Sequence, residues 1–118
     1  PYSQATRSGN LLFVSGTLPV DPRTGQLVQG EIEQQTHQVF ANLTAIAAAA
    51  GGHLGDAVKV TVFLTDLGNF QRVNAVYRQY FQDPYPARST IQVAALPLGA
   101  PLEVEAIIAL TGTPPPSG

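Results

Sequence analysis

Apolar residues recur along this chain with two different periods, and the change from one to the other divides it into elements. The plainest strand signal is Val58 to Leu64, where Val58, Val60, Val62 and Leu64 fall on one face. A second lies at Leu102 to Leu110. There Leu102, Val104, Ala106 and Ile108 make a wholly apolar face, while the other face runs from Glu103 and Glu105 to Ile107 and Ala109. It is joined by the Pro/Gly connection Leu98-Gly99-Ala100-Pro101 to a stretch from Pro86 to Pro97, a strand with Arg88 at its mouth. Near the start, Tyr2–Arg7 and Leu11–Ser15 read as short strands around a Ser8-Gly9-Asn10 turn. Leu11 to Val14 is apolar on both faces, so that strand belongs inside its sheet, and Ser15-Gly16 ends it.

Helical spacing governs two other stretches. From Ile32 to Ala50 the residues Ile32, Thr36, Val39, Phe40, Leu43, Ile46 and Ala50 form one stripe, and Gly51-Gly52 supplies a helix terminus. From Phe70 to Phe81 the stripe is Phe70, Val73, Tyr77 and Tyr80, joined by Phe81, with Asn74 on it and Asp66 or Asn69 as the cap. The order is strand–strand, helix, strand, helix, strand–strand. Two helices that each bury one stripe lie side by side on one face of a single sheet, an α+β layer fold. Strands apolar on both faces then need something over the second face, and a symmetric oligomer is the economical cover.

Composition sharpens that expectation. The 118 residues suit one domain, spanning residues 1–110, and the tail Thr111–Gly118 with its three prolines has nothing to bury and is expected to be disordered. Charged residues are 12% against 44% apolar, about half the usual charged share, so part of the surface is expected to be buried against other copies. Net charge is −2, with one lysine and five arginines in no basic stripe, which argues against a phosphate-backbone binder. There is no cysteine, hence no disulfide, thiol nucleophile or thiolate-bound metal. No apolar run reaches membrane-spanning length and no signal segment opens the chain, so cytoplasm is the expected location. The chain opens at Pro1 without methionine, and a processed or trimmed N-terminus is expected.

Candidate chemistry concentrates at the C-terminal strands. If the mouths of the strands carrying Arg88 and Glu103/Glu105 stand together, a guanidinium meets carboxylates; residue types alone fit either a surface ion pair or a functional cleft. Ser15-Gly16 fits a strand terminator, or a hydroxyl and an unhindered N–H that hold an anion or carbonyl oxygen. Asn74 fits a helix-flank residue bonding nearby backbone, and Tyr2 an anchor of the N-terminus. His37 and His53 read as surface residues rather than metal ligands, and the glycines form no nucleotide-binding pattern.

Taken in order, Pro1-Tyr2-Ser3-Gln4-Ala5, Phe13-Val14-Ser15-Gly16, Gln35-Thr36, Val58 to Leu64, Val73-Asn74-Ala75-Val76-Tyr77, Pro86-Ala87-Arg88-Ser89-Thr90 and Glu103-Val104-Glu105-Ala106-Ile107 closely resemble the RidA family of YjgF-type reactive intermediate deaminases, from Pro1 to about Leu110. The resemblance implies a chorismate-mutase-like α+β fold assembled as a homotrimer, with its sheets packed inward and its active sites between subunits. It implies hydrolysis of 2-imino acids such as 2-iminobutanoate and 2-iminopropanoate to 2-keto acids and ammonia. Arg88 matches the arginine that grips the substrate carboxylate and Glu103 the glutamate that orients or activates water; Tyr2, Ser15, Gly16 and Asn74 match pocket residues. Many members carry cysteine two residues after the arginine, where this chain has Thr90, which can hydrogen-bond a water or substrate but cannot act as a thiolate. An imine is already electrophilic, so the reaction asks for no metal or covalent cofactor. A non-catalytic binder of small carboxylates and an RNA-directed role are the other two function classes that the resemblance leaves open.

Overall fold

A computed structural model describes residues 1–110, so the expectation for Thr111–Gly118 lies outside the described residues. The elements are β1 (Ala5–Ser8), β2 (Leu11–Thr17), a short ladder of β3 (Val20–Asp21) and β4 (Gln26–Leu27), α1 (Ile32–Ala49), β5 (Ala57–Leu64), α2 (Phe70–Tyr77), β6 (Ala87–Gln92) and β7 (Leu102–Ala109). Five strands form one mixed sheet in the order β1-β2-β7-β5-β6, parallel only between β5 and β6. Among the described residues no helix is long and apolar enough to cross a membrane.

The helices share one sheet face, as the alternation and the stripes predict. Leu12, Val14, Val60, Val62, Leu64, Leu102, Val104, Ala106 and Ile108 are buried with Val39, Phe40 and Leu43 of α1 and Val73, Val76 and Tyr77 of α2 in one core. Each fully buried aliphatic side chain contributes about 1.5–3 kcal/mol. At the helix ends the chain follows local chemistry. The Gln34 side chain accepts from the Glu31 N–H at 2.9 Å to start α1, and Gly51 takes φ +79° just beyond its end. Arg72 of α2 reaches both Glu33 (2.6 and 2.9 Å) and Glu31 (2.8 Å), which ties the two helices at the surface.

The opposite sheet face has no cover within the described residues. Leu11 and Phe13 of β2 and Ile91 of β6 are 37%, 39% and 44% exposed on it, so β2 is apolar on both faces as expected.

Several boundaries differ from the sequence expectation, each for a local reason. β1 starts at Ala5 rather than Tyr2. Ser15-Gly16 does not end β2, because the strand continues to Thr17 through a one-residue bulge, with Val14 opposite Ala106 and Thr17 opposite Val104. Val58 leaves the face it should share with Val60, since the β5–β7 register shifts between Ala57 and Lys59; Ala57 is buried instead and Val58 is 46% exposed. α2 stops at Tyr77, after which N–H groups of Gln79 and Tyr80 reach back three residues and deliver Phe81 to the core.

The largest difference concerns β6 and β7. They are not neighbours, for β5 lies between them. The connection from Val93 to Pro101 wraps over the end of β5, where Val93 N–H donates to Leu64 C=O (2.8 Å) and Thr65 N–H to Pro101 C=O (3.2 Å).

Candidate functional site

The residues singled out from sequence separate into two groups, one on each face of the sheet. β6 lies parallel to β5 with Arg88 opposite Val60 and Thr90 opposite Val62, so both side chains point toward the helix layer. There the Arg88 Nη1–H donates to Asn74 Oδ1 at 2.6 Å. Its guanidinium carbon stands 4.6 Å from the centre of the Tyr77 ring and 5.4 Å from that of Phe70. The three ion pairs among the described residues involve Arg23 and Arg72, and none involves Arg88. The sheet-edge ion pair that residue types allowed is therefore absent. Arg88 is a half-buried cation oriented by an amide oxygen and two rings, with most of its five N–H donors left for something else.

The second group surrounds the bulge in β2. Glu103 is on the uncovered face, opposite Phe63 of β5, and Glu105 follows opposite Thr61. A methyl group built onto Gly16 would lie 2.7 Å from Glu103 Cδ and 2.9 Å from each of its carboxylate oxygens. The missing side chain at Gly16 is thus what gives the Glu103 carboxylate its place. Burial, and then the neighbouring negative charge of Glu105, raises the Glu103 carboxyl above its ordinary value. Beside it, the Ser15 hydroxyl donates to Ser3 C=O at 2.6 Å, and the Ser15 N–H donates to Gln4 C=O at 2.9 Å. Ser15 therefore pins the N-terminal segment, leaving its hydroxyl lone pairs rather than its proton for a ligand. Tyr2 is 83% exposed rather than packed as an anchor; it lines a cleft of about 540 Å³ with Ser15, Gly16, Leu98 and, from α1, Asn42 and Ile46.

One chain cannot bring the two groups to one small ligand. Arg88 stands at the level of Val60 and Glu103 at the level of Phe63. Three residues along a strand are about 10 Å, two strand spacings add about 10 Å sideways, and the side chains leave opposite faces. The meeting of guanidinium and carboxylates that adjacent strand mouths would allow does not occur within the chain, because β5 intervenes.

Sequence reasoning placed Phe70 and Tyr77 in the core stripe of α2 and missed that both also face Arg88. Asn74 on the same stripe was the available signal, since a polar residue between aromatic positions marks where the stripe meets something charged. His37 is not a free surface residue either; its Nδ1 lies 2.8 Å from the Tyr80 hydroxyl. His53 is exposed.

The chain matches the family described as Endoribonuclease L-PSP over residues 1–110. It is 54% identical to a RutC family protein of Sinorhizobium fredii over 94% of this chain and 88% of that protein. It is 47% identical to the 2-iminobutanoate/2-iminopropanoate deaminase of Bos taurus over 91% of this chain and 78% of that protein. Among solved structures, RidA from an Antarctic Psychrobacter superposes with a TM-score of 0.87 at 48% identity, covering 92% of this chain and 87% of that one.

Proposed function

This chain belongs to the Endoribonuclease L-PSP family, the RidA/YjgF proteins, and from that premise we propose that it hydrolyses 2-imino acids to 2-keto acids and ammonia. The observation that carries the reading is Arg88: a half-buried guanidinium held by Asn74 with no carboxylate partner among the described residues, open to a planar anion. The carboxylate of a 2-imino acid is such an anion, and gripping it sets the orientation of the adjacent C=N bond.

Glu103 supplies the base. Water adds its oxygen to the carbon of the protonated imine (C=NH2+) and gives a proton to the Glu103 carboxylate, forming a neutral carbinolamine. The carboxylic acid returns that proton to the amine nitrogen, the C–N bond breaks, and the hydroxyl proton leaves with ammonia as ammonium while C=O forms. A carboxyl whose affinity for protons is raised by burial and by Glu105 suits both directions of that transfer. Gly16 stands against the Glu103 carboxylate and shares a cleft with Tyr2 and Ser15, and Thr90 stands two residues beyond Arg88 on the same face, where its hydroxyl serves as a hydrogen-bonding group.

Because the Arg88 and Glu103 groups lie on opposite faces of one sheet, the proposal requires that one copy present Glu103 to the Arg88 of another. A homotrimer with its uncovered sheet faces turned inward supplies both that contact and the missing cover for Leu11, Phe13 and Ile91. The family's RNA-related description finds less support in this chain. Its net charge is −2, and Arg23 and Arg72 are engaged with carboxylates.

The test is a coupled assay with freshly generated 2-iminobutanoate and 2-iminopropanoate. Keto acid release is expected to exceed spontaneous hydrolysis, and Arg88→Ala is expected to abolish the excess while leaving the fold intact. An Arg88→Ala protein with wild-type turnover ends the reading.

A further inference from the structure

We infer that Tyr77 is a positioning residue for Arg88, its ring face acting with that of Phe70 to fix the plane in which the guanidinium fork meets a ligand carboxylate. The inference rests on the carboxylate-binding reading of Arg88. Phe70, Asn74 and Tyr77 fall at i, i+4 and i+7 of α2, one face of the helix, and all three touch Arg88. Asn74 alone gives a single hydrogen bond, about which the planar fork is free to swing. A ring centre 4.6 Å from Cζ removes that freedom, and the Phe70 ring at 5.4 Å limits it further.

The choice of partners matters as much as their number. A carboxylate could hold an arginine equally well, but it would neutralise the charge and occupy the fork. An amide oxygen and aromatic faces orient the guanidinium and leave its full charge for an incoming anion. The Tyr77 phenol stays neutral at ordinary pH, for burial pushes it above its usual value and the Arg88 charge offsets this only in part.

The hydroxyl of Tyr77 is buried without a hydrogen-bond partner, and the residue is 5% exposed. It makes no hydrogen bond among the described residues. The ring, packed edge-on against Phe40 and beside Phe81, is therefore the working part.

Three variants test this: Tyr77→Phe keeps the ring, Tyr77→Leu removes it from the core side, and Phe70→Leu removes the half-buried ring. Each is compared with Arg88→Ala for binding of 2-oxobutanoate by calorimetry, for KM and kcat with 2-iminobutanoate, and for melting temperature. Tyr77→Phe is expected to keep Kd and KM within about twofold and to melt no lower, since it removes an unsatisfied polar atom. Tyr77→Leu is expected to raise Kd and KM roughly three- to thirty-fold, the range of a cation–ring contact, with a smaller change in kcat. Phe70→Leu moves both in the same direction by less, and stands in if Tyr77→Leu does not fold. Folded leucine variants with wild-type Kd, or a lowered melting temperature alone, make Tyr77 a core residue only and overturn the inference. So does a Tyr77→Phe loss as large as that of Tyr77→Leu, which would make the hydroxyl the contact. Unchanged binding in Arg88→Ala instead overturns the reading of Arg88 beneath it, so the two failures are told apart.

Discussion

Arg88→Ala and Glu103→Gln each remove one half of the proposed site, and mixing the two variants tests where the halves come from. Each variant alone is expected to be inactive. Within a chain the two positions are separated by three residues along β5 and two strand spacings, on opposite faces. If each site takes Arg88 from one copy and Glu103 from the next around a closed ring, a ring containing both variants regains an intact site. At the junction where a Glu103→Gln chain supplies Arg88 and an Arg88→Ala chain supplies Glu103, nothing is missing. A trimer with two chains of one kind and one of the other has one such junction, so it should recover about one third of wild-type activity per trimer. Random 1:1 association without selection should recover about one quarter, because the two conditions at each junction are independent and each is met half the time. Co-expression with two different tags, sequential capture and native mass spectrometry supply rings of verified composition, and 2-iminobutanoate hydrolysis reads the result. Mixed rings no more active than the parent variants would show that one chain carries the whole site and would refute the argument from opposite faces.

Two further outcomes follow from the same geometry. Light scattering at micromolar concentration is expected to give about three times the 12.4 kDa chain mass, and a stable soluble monomer would defeat the covered-face argument. In an Arg88→Ala background, which removes the cation that a neighbouring copy would bring, Glu103→Gln is expected to raise the melting temperature at neutral pH. A carboxyl with a raised folded-state value holds its proton more tightly when folded, so ionising it lowers stability as pH rises from the unfolded value through the folded one. The gain from Gln is then full above that window and absent below it, where Glu103 is protonated in both states; a gain that persists unchanged at acid pH would contradict this cause.

Regular periodicity made most of the fold legible in the sequence. The alternation of Leu102, Val104, Ala106 and Ile108 and the α1 stripe from Ile32 to Leu43 identify faces that are buried as expected, while at the end of α1 Ala47 is buried and Ile46 and Ala50 only partly so. What escaped were the places where regularity breaks. The β5 irregularity that turns Val58 outward and the β2 bulge at Ser15-Gly16 each insert one residue, and a single apolar or small residue gives no sign of which strand will yield. Strand order escaped for a different reason. A Pro/Gly connection suggests a hairpin, whereas the segment after β6 crosses β5 and uses its own backbone groups to clasp Leu64 and Thr65. That error bears directly on the site, since it is β5 between them that moves Arg88 away from Glu103. The resemblance names Arg88, Asn74, Glu103 and Gly16 without saying which are neighbours in one chain. Packing groups Arg88 with Asn74 and Glu103 with Gly16.

Under the proposed reading, this division gives the isolated chain two groups whose needs only association answers. Arg88 is held by neutral partners and keeps its charge, while Glu103 sits beside Glu105 in a place that favours its protonated form. Neither has an oppositely charged partner among the described residues. Apposing two copies brings the cation of one toward the carboxylate of the other, and this alone draws the Glu103 value down, toward that of an ionised base. A ligand carboxylate seated on the Arg88 fork then takes up the cation's charge and lets the Glu103 value rise again, into the range in which it exchanges protons with water and amine. Assembly and ligand binding thus push one carboxyl in opposite directions. A pH–rate profile separates them: kcat/KM reports Glu103 in the unliganded ring and kcat reports it with substrate on Arg88. The acidic limb of the kcat profile should lie at higher pH than that of kcat/KM. Coincident limbs, or the reverse order, would show that the ligand's charge does not reach Glu103 and that the two halves do not form one site.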